Sequence, residues 1–349
     1  MSISLRIAGD GDKGKWDEYV KRHQSASPYH LYSWKTAIEV SYRHKAYYIL
    51  AEEDNNIVGV LPLVQLKLPI YLNNLVSLPF CDVGGVISDS EQIQDELLAY
   101  ILKLKSELKI NSIELRGDLA RNTDNENFLH QDDTDKVRMM LDIEGSSDEL
   151  LSSFKSKLRS QIKKSEKNGL VFNWENEHKL DRFYTVFSQN MKDLGSPVHS
   201  KRWFQAVQDS YGENAAIGLV ELEGQPVGCC LILMTDTNLA IPWASTLRQY
   251  NRLAPNMLLY WNILKYACDN GYKQVDFGRS SQDQGTYRFK TQWGAKPKDL
   301  AWYTITDNGN TKSESGLMGY RRVAESAWQK LPLTAANYIG PLVRKYISL

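Results

Sequence analysis

SPYHLYSWKTAIEVSY at residues 27–42 returns as SPVHSKRWFQAVQDSY at residues 196–211, without a gap and at a constant offset of 169. Ser27, Pro28, His30, Trp34, Ala37, Ser41 and Tyr42 fall on Ser196, Pro197, His199, Trp203, Ala206, Ser210 and Tyr211. The offset carries on through Ala46 and Ala215, Leu50 and Leu219, Glu52 and Glu221, Val58 and Val227, and Gly59 and Gly228. Twelve of 33 positions agree, where average composition gives roughly one in 16. The chain is therefore a tandem duplication, and its fold is to be read as two copies of one unit.

Outward from these blocks the order of elements repeats as well. Each copy is expected to hold a helix, a hairpin (YYILAEEDNNIVGVLPLVQL; AAIGLVELEGQPVGCCLILM), a third strand (NNLVSLPF; NLAIPWAS), a longer helix (QIQDELLAYILKLKSELK; NMLLYWNILKYACDNG) and a further strand (SIELR; QVDFG). The turns Asp54-Asn55-Asn56 and Glu223-Gly224-Gln225 carry hairpin residues. A last strand follows in each copy, VRMMLDI at 137–143 and AWYTIT at 301–306. The order predicts an α/β (α+β) chain of two modules, each a mixed, mostly antiparallel sheet flanked by helices. The expected divisions are a first domain at 1–144, a second at 145–310 and a helical tail at 311–349. Residues 117–136 read as a polar loop of the first copy, and DFGRSSQDQGTYRFKTQWGA at 276–295 occupies the matching slot of the second. The second copy is therefore expected to be the catalytic one and the first degenerate.

Composition limits the function classes. Lys plus Arg equals Asp plus Glu at 42 each, so no global field draws the chain to nucleic acid or anionic membrane, and any anion site is local. Cys81, Cys229, Cys230 and Cys268 lack metal-ligand spacing; the adjacent Cys229 and Cys230 read as small core residues, and no metal is expected. The first residues lack the apolar stretch of a secretory signal, and no run of about 18 apolar residues occurs. The expected location is the cytoplasm.

Beyond the duplication, SKLRSQIKKSEKNGL (156–170), NMKDLGSPVHS (190–200), PWASTLRQYNRLAPNMLLYW (242–261) and the 276–295 stretch resemble the FemAB-like proteins, and the element order resembles a pair of GNAT-type (acyl-CoA N-acyltransferase) modules. The subgroup with the best resemblance is the one associated with exosortase (PEP-CTERM) and exopolysaccharide systems. The resemblance covers most of residues 25–305. It implies transfer of an acyl or aminoacyl group to an amine of a cell-envelope or exopolysaccharide precursor, from acyl-CoA or aminoacyl-tRNA. The implied acceptor is a small molecule or a nucleotide-linked or lipid-linked sugar.

Acyl transfer to an amine needs a neutral nucleophile, support for the developing oxyanion and a proton route. No G-x-S-x-G or Cys-His signature is present, which favours direct attack over a covalent intermediate. By resemblance, Lys290 is the lysine of an aromatic-Lys-x-x-aromatic-Gly motif that ends in Trp293 and Gly294, placed to meet negative charge at the acyl ester or a phosphate, and it is the first catalytic candidate, with Tyr287, His199 and Asp276 beside it; a surface lysine on an amphipathic turn is the plainer reading. If 284–293 is a short helix, Tyr287 shares its face at i, i+3. Asp276 and Arg279 stand at a strand end, where ligand groups gather in open α/β sheets; an ion pair between them, bracing the loop, is an equal account. Arg248, Arg252 and Asn256 take the place of a pyrophosphate-binding turn before a helix N-terminus, but no glycine lies between residues 246 and 256 to let backbone approach a pyrophosphate.

SSFKSKLRSQIKKSEKNG reads as one helix with Leu151, Phe154, Leu158 and Ile162 on its apolar face and Gly169 at its end. Six cations stand against Glu166 over residues 155–167; Lys157 and Arg159 are the candidates for phosphate contact, set against a merely solvated basic face. His199 is a candidate general base or substrate contact and His30 a weaker one, yet a histidine kept in both copies also fits an architectural role at helix entry. The tail LPLTAANYIGPLVRKYISL is expected to dock on the second domain, with peripheral membrane contact as the alternative. Two rival functions remain: a tRNA-dependent aminoacyltransferase, against which the zero net charge argues, and a non-catalytic GNAT-like binding module.

Overall fold

The computed structural model describes residues 3–68, 71–120, 129–132, 134–175, 180–282, 284–306 and 318–349, with backbone alone at 318–322. Its strands and helices in chain order are β1 (Ser4–Ile7), α1 (Lys13–Arg22), α2 (Tyr32–Tyr42), β2 (Ala46–Glu53), β3 (Asn56–Leu68), β4 (Leu72–Val76), β5 (Ile87–Ser88), α3 (Glu91–Glu107), β6 (Ser112–Arg116), β7 (Leu129–Gln131) and β8 (Lys136–Asp142). There follow α4 (Ser147–Ser153), α5 (Ser156–Lys167), β9 (Leu170–Glu175), α6 (Leu180–Asp193), α7 (Lys201–Tyr211), β10 (Ala215–Leu222), β11 (Gln225–Met234), β12 (Asn238–Thr246), α8 (Pro255–Asp269), β13 (Gln274–Ser281), α9 (Gly285–Thr291), β14 (Lys296–Asp299), β15 (Trp302–Thr306), α10 (Met318–Gln329) and α11 (Leu333–Arg344).

The duplication reaches down to single residues. Trp34 on α2 and Trp203 on α7 are both wholly buried. Both hairpins close through two residues with positive φ, Asp54-Asn55 and Glu223-Gly224, the backbone that matches the right-handed twist of the flanking strands. Both then slip register at one place, between Ala51 and Glu52 and between Val220 and Glu221, which differ by the sequence offset. Gly59 and Gly228 stand opposite the slips, and a Cβ on Gly59 would come within 2.6 Å of Ile93 on α3. Each copy also opens with a strand and helix that the sequence reading did not assign, β1 with α1 and β9 with α6.

The chain divides into two units that are not continuous in sequence: residues 1–136, 299–313 and 346–349 form one, and 137–298 with 314–345 the other. The expected boundaries at 144 and 310 therefore need correction, and the last strands give the reason. The first sheet runs β1-β2-β3-β4-β6-β15-β7, with β5 beside β3; the second runs β14-β8-β13-β12-β11-β10-β9. Thus β15, read as the last strand of copy two, pairs with β6, Trp302 against Arg116 through Thr306 against Ser112. β8, read as the last strand of copy one, lies beside β13. The copies have exchanged their last strands, and each sheet is then closed by a local strand, β7 or β14. The 117–136 loop is corrected accordingly: it contains β7, while 121–128 and 133 lie outside the described residues.

Within the second unit, Leu158 and Ile162 of α5, Leu258, Leu259, Ile263 and Leu264 of α8, and Met139 and Leu141 of β8 share one core. The single helix expected over 151–167 is broken at Phe154, whose extended backbone (φ −69°, ψ 147°) ends α4 and turns its ring inward. Residues 311–317 of the expected tail lie outside the described residues. The rest docks on the second unit: a Cβ at Gly340 would come within 3.0 Å of the Val198 amide, and Asn337 donates to Ser188 of α6.

Two outcomes check the exchange. Ile305→Ala empties a buried position in the first sheet and is expected to cost about 2–4 kcal/mol in urea unfolding. A fragment of residues 1–144 leaves the β6 edge open and is expected to elute as aggregate in gel filtration.

Candidate active site

In the second unit β12 and β13 run parallel but pair over only three residues, Asn238 with Gln274, Leu239 with Val275 and Ala240 with Asp276. Beyond them β12 continues to Thr246 and β13 to Ser281. At the parting β12 carries a bulge: Leu231 opposes Trp243 and Leu233 opposes Ala240, so Ile241 and Pro242 together face Ile232. The extra residue reverses the facing of the rest of the strand. Leu239 and Ile241 pack in the α8 core, whereas Trp243 turns to His199 and Phe204, and Ser245 accepts from Asn190 of α6 at 3.0 Å. Bulges next to a parting of strands re-aim side chains and backbone together.

The first unit has the same parting and fills it. There β4 and β6 pair over three residues, Val76 with Glu114 last. Ser77 then donates to the Glu114 carbonyl at 2.8 Å, and its hydroxyl accepts from the Arg116 amide at 2.7 Å. The Arg116 side chain, 0% exposed, lies in the slot; Nη1 donates to the carbonyls of Cys81 at 2.6 Å and of Leu78 and Ser348 at 3.3 Å, and Nε to the Glu114 carboxylate at 2.6 Å. Counting from the last pairs, Glu114 matches Asp276 and Arg116 matches Gly278. Where one unit puts a buried guanidinium, the other has no side chain at all, on a φ of +72°.

The loop around Gly278 is tightly held. Asp276, 3% exposed, accepts from the Gly278 amide at 2.8 Å and pairs with Arg138 of β8 at 2.7 Å. Its ion-pair partner is therefore Arg138, not the neighbouring Arg279 that the sequence offered. Lys290, buried on the short α9, donates to the carbonyls of Gly278 at 3.1 Å and Arg279 at 2.7 Å. Arg279 and Tyr287 are half-buried. Trp293, expected to bind substrate, is 0% exposed and packs edge-on against Phe154 at 5.5 Å; that corrects its role to holding α9 in place.

Across the parting, Thr246 at the end of β12 donates to Asn256 Oδ1 at 2.9 Å and fixes the start of α8. Arg248 and Arg252 are exposed on a 3-10 turn over 248–253, which replaces a glycine turn, and Ala254 enters α8 at φ +62°. Asn168, at the end of the lysine-bearing α5, donates to the Leu253 carbonyl at 3.2 Å and ties that helix to this turn. Lys157 is exposed on α5, and Arg159 donates to the Ser152 carbonyl at 2.8 Å, bridging the α4–α5 break. A separate cavity of about 900 Å³, lined in part by Glu175, Asp181, Gln208 and Asp209, contains none of the residues that the sequence singled out. Among the described residues no group of three or more His, Cys, Asp or Glu is placed to hold a metal ion.

Residues 152–291 match the family model described as an acetyltransferase (GNAT) domain. The second unit is an acyltransferase domain. No curated protein sequence matches the chain. Among solved structures it is similar to FemX (16% identity, 88% of this chain and 98% of that one, TM-score 0.69) and to a tandem GNAT protein of the clavulanic acid biosynthesis pathway (12%, 89% and 100%, 0.54). It is also similar to L-PGS from Bacillus licheniformis (12%, 92% and 99%, 0.58). At these identities the likeness is one of fold, and it extends over both units.

The duplicated histidines have parted ways around the GNAT domain. His30 Nδ1 accepts from the Ser27 amide at 3.1 Å and Nε2 meets the Gly85 carbonyl at 3.2 Å, while the Trp16 indole donates to the His30 carbonyl at 2.7 Å. With both ring nitrogens bonded inside the first unit it is architectural, which corrects the expectation of substrate contact. His199 keeps the carbonyl bond, here from Tyr184 at 3.0 Å, whose phenol burial pushes up to about 12, so it stays a donor. The His199 ring stacks on Trp203 at 5.6 Å. Burial, and secondarily the Arg344 charge, hold its pKa well below 6.5, so the imidazole is neutral. Sequence reasoning missed Arg138, whose only mark was a cation inside an apolar strand, and Gly278; laying SIELRG over QVDFGR sets Arg116 on Gly278.

Two measurements test this geometry. Arg138→Met leaves the Asp276 carboxylate buried and unpaired, and a loss of about 3–5 kcal/mol is expected, much of it recovered when Asp276→Asn is added. The unfolded state protonates His199 first, so its contribution is full above pH 6.5 and declines as pH falls below that value. Melting temperature is therefore expected to drop between about pH 6.5 and 5 in the wild type and to drop less in His199→Gln.

Proposed function

We propose that the chain transfers an acyl or aminoacyl group to an amine of a cell-envelope or exopolysaccharide precursor, in the gap where β12 and β13 part. The observation that carries this reading is the absence of a side chain at Gly278, whose counterpart in the first unit is the buried Arg116. The first unit is then the degenerate copy. Beyond Ala240 the β12 backbone, among the described residues, has no pairing with β13, so its groups on that side are available to an acyl carbonyl and the oxyanion that forms from it. Phosphates of the donor lie at the start of α8, met by the side chains of Arg248 and Arg252.

The amine attacks the acyl carbon directly; the bond to the donor's sulfur or oxygen breaks, and the amine proton leaves to a neutral base. His199, uncharged and packed on Trp243 just past the bulge, is that base. Lys290 is a positioning residue: its ammonium fixes the carbonyls of Gly278 and Arg279, so the loop holds its shape beside the half-buried Arg279 and Tyr287, the proposed acceptor contacts. The acceptor is a small amino sugar or its nucleotide-linked or lipid-linked form, and the reaction runs in the cytoplasm. All four cysteines are buried thiols, in keeping with a reducing compartment.

An acyl-CoA donor is the first reading. The joining of α5, with its lysines, to the 248–253 turn supports a second, in which a charged tRNA is the donor and its backbone lies along α5. Incubation of the full chain with an acyl-CoA panel and, separately, with charged tRNA, each with amino-sugar acceptors, distinguishes the two; transfer from neither overturns the proposal. With the active donor, Arg248→Ala/Arg252→Ala is expected to raise KM about tenfold or more with kcat and melting temperature nearly unchanged, because both side chains are exposed.

A further inference from the structure

Five of the eleven large apolar side chains exposed among the described residues lie within residues 323–343. Four belong to one stripe of α11: Tyr338 (77% exposed), Leu342 (55%), Ile339 and Val343. The opposite face is spent on the protein, through Ala336, Asn337 and Gly340. A surface helix of a soluble domain turns polar residues outward. The neighbouring α7 does so, with Lys201, Arg202, Gln205 and Asp209 exposed. α11 has the reverse order.

Charge narrows what covers it. From Ser326 to Leu349 the sequence holds Lys330, Arg344 and Lys345 and no Asp or Glu, in a chain whose total charge is zero. Arg344 is turned inward, close enough to depress the His199 pKa; Lys345, one residue on, falls beside Tyr338 on the helical wheel. A second copy docking on the same face would set like charges against each other, whereas an anionic bilayer answers both the cations and the apolar stripe. No helix among the described residues is long and apolar enough to cross a membrane, and α11, with 12 residues, spans only about 18 Å. We propose that α11 docks the chain on the surface of an anionic lipid bilayer, lying in the interface plane with Tyr338, Ile339, Leu342 and Val343 sunk among the headgroups and the cations at its edge. The inference does not depend on the reaction proposed above.

The test is co-sedimentation of the full chain with phosphatidylglycerol-containing vesicles and with pure phosphatidylcholine vesicles, without donor or acceptor. Binding to the anionic vesicles is expected, weakened by salt, with little on phosphatidylcholine. Ile339→Glu/Leu342→Glu, at exposed positions, is expected to lower the bound fraction about tenfold with the melting temperature unchanged. The proposal is overturned if the wild type stays in the supernatant with anionic vesicles, or if the variant sediments as the wild type does. It is also overturned if light scattering gives a wild-type dimer that the variant converts to monomer, since a second copy would then cover the stripe.

Discussion

A parallel strand pair that stops after three residues leaves backbone edges that must be satisfied or used, and the two units answer that constraint differently. In the first, Arg116 and the carbonyls of Leu78, Cys81 and Ser348 close the slot into solid protein. In the second, Gly278 puts no side chain there, and the residues around that position are held in place: Arg138 on Asp276, Lys290 on the loop carbonyls, Thr246 on Asn256. A buried guanidinium bonded through Nε and Nη1 contributes stability and fills the position. A glycine in the same place gives up that stability.

The duplication was legible because it is ungapped where it matters. Trp34 and Trp203, the two hairpin turns and the glycines opposite the register slips all sit at one offset, and each is demanded by local backbone or by core packing. The exchange of last strands was not legible. VRMMLDI and AWYTIT fit either sheet equally well, since both units need an alternating strand at that place, and the order along the chain is the same with or without the exchange.

The candidate site was read in part. The strand-end and helix-start positions came through, because local pattern places Asp276, Arg279, Lys290, Arg248 and Asn256 on either side of one gap. Partnerships did not, because they span long distances in sequence: Arg138 reaches Asp276 from a strand assigned to the other copy. Trp293 and His30 misled for a shared reason. Residue type alone cannot tell an aromatic or imidazole that faces a ligand from one that completes a core, and both are wholly enclosed here. The duplicated histidine kept its backbone carbonyl bond in both copies while its ring took on different surroundings, so the repeat preserved the bend of the chain.

The exchanged strands also set the order in which the chain completes itself. The first sheet cannot gain its β15 until Trp302–Thr306 has been made, whereas β6 is finished at Arg116. At about 5–20 residues per second, an exposed sheet edge waits roughly 10–40 s for its partner during synthesis. In the second sheet the waiting element is the single strand β8, finished at Asp142 and joined by β13 only once Gln274–Ser281 has been made. Neither unit is therefore complete until late in the sequence, the first for want of β15 and the second for want of the helices within 314–345, and the β6 edge is the one that stands open longest.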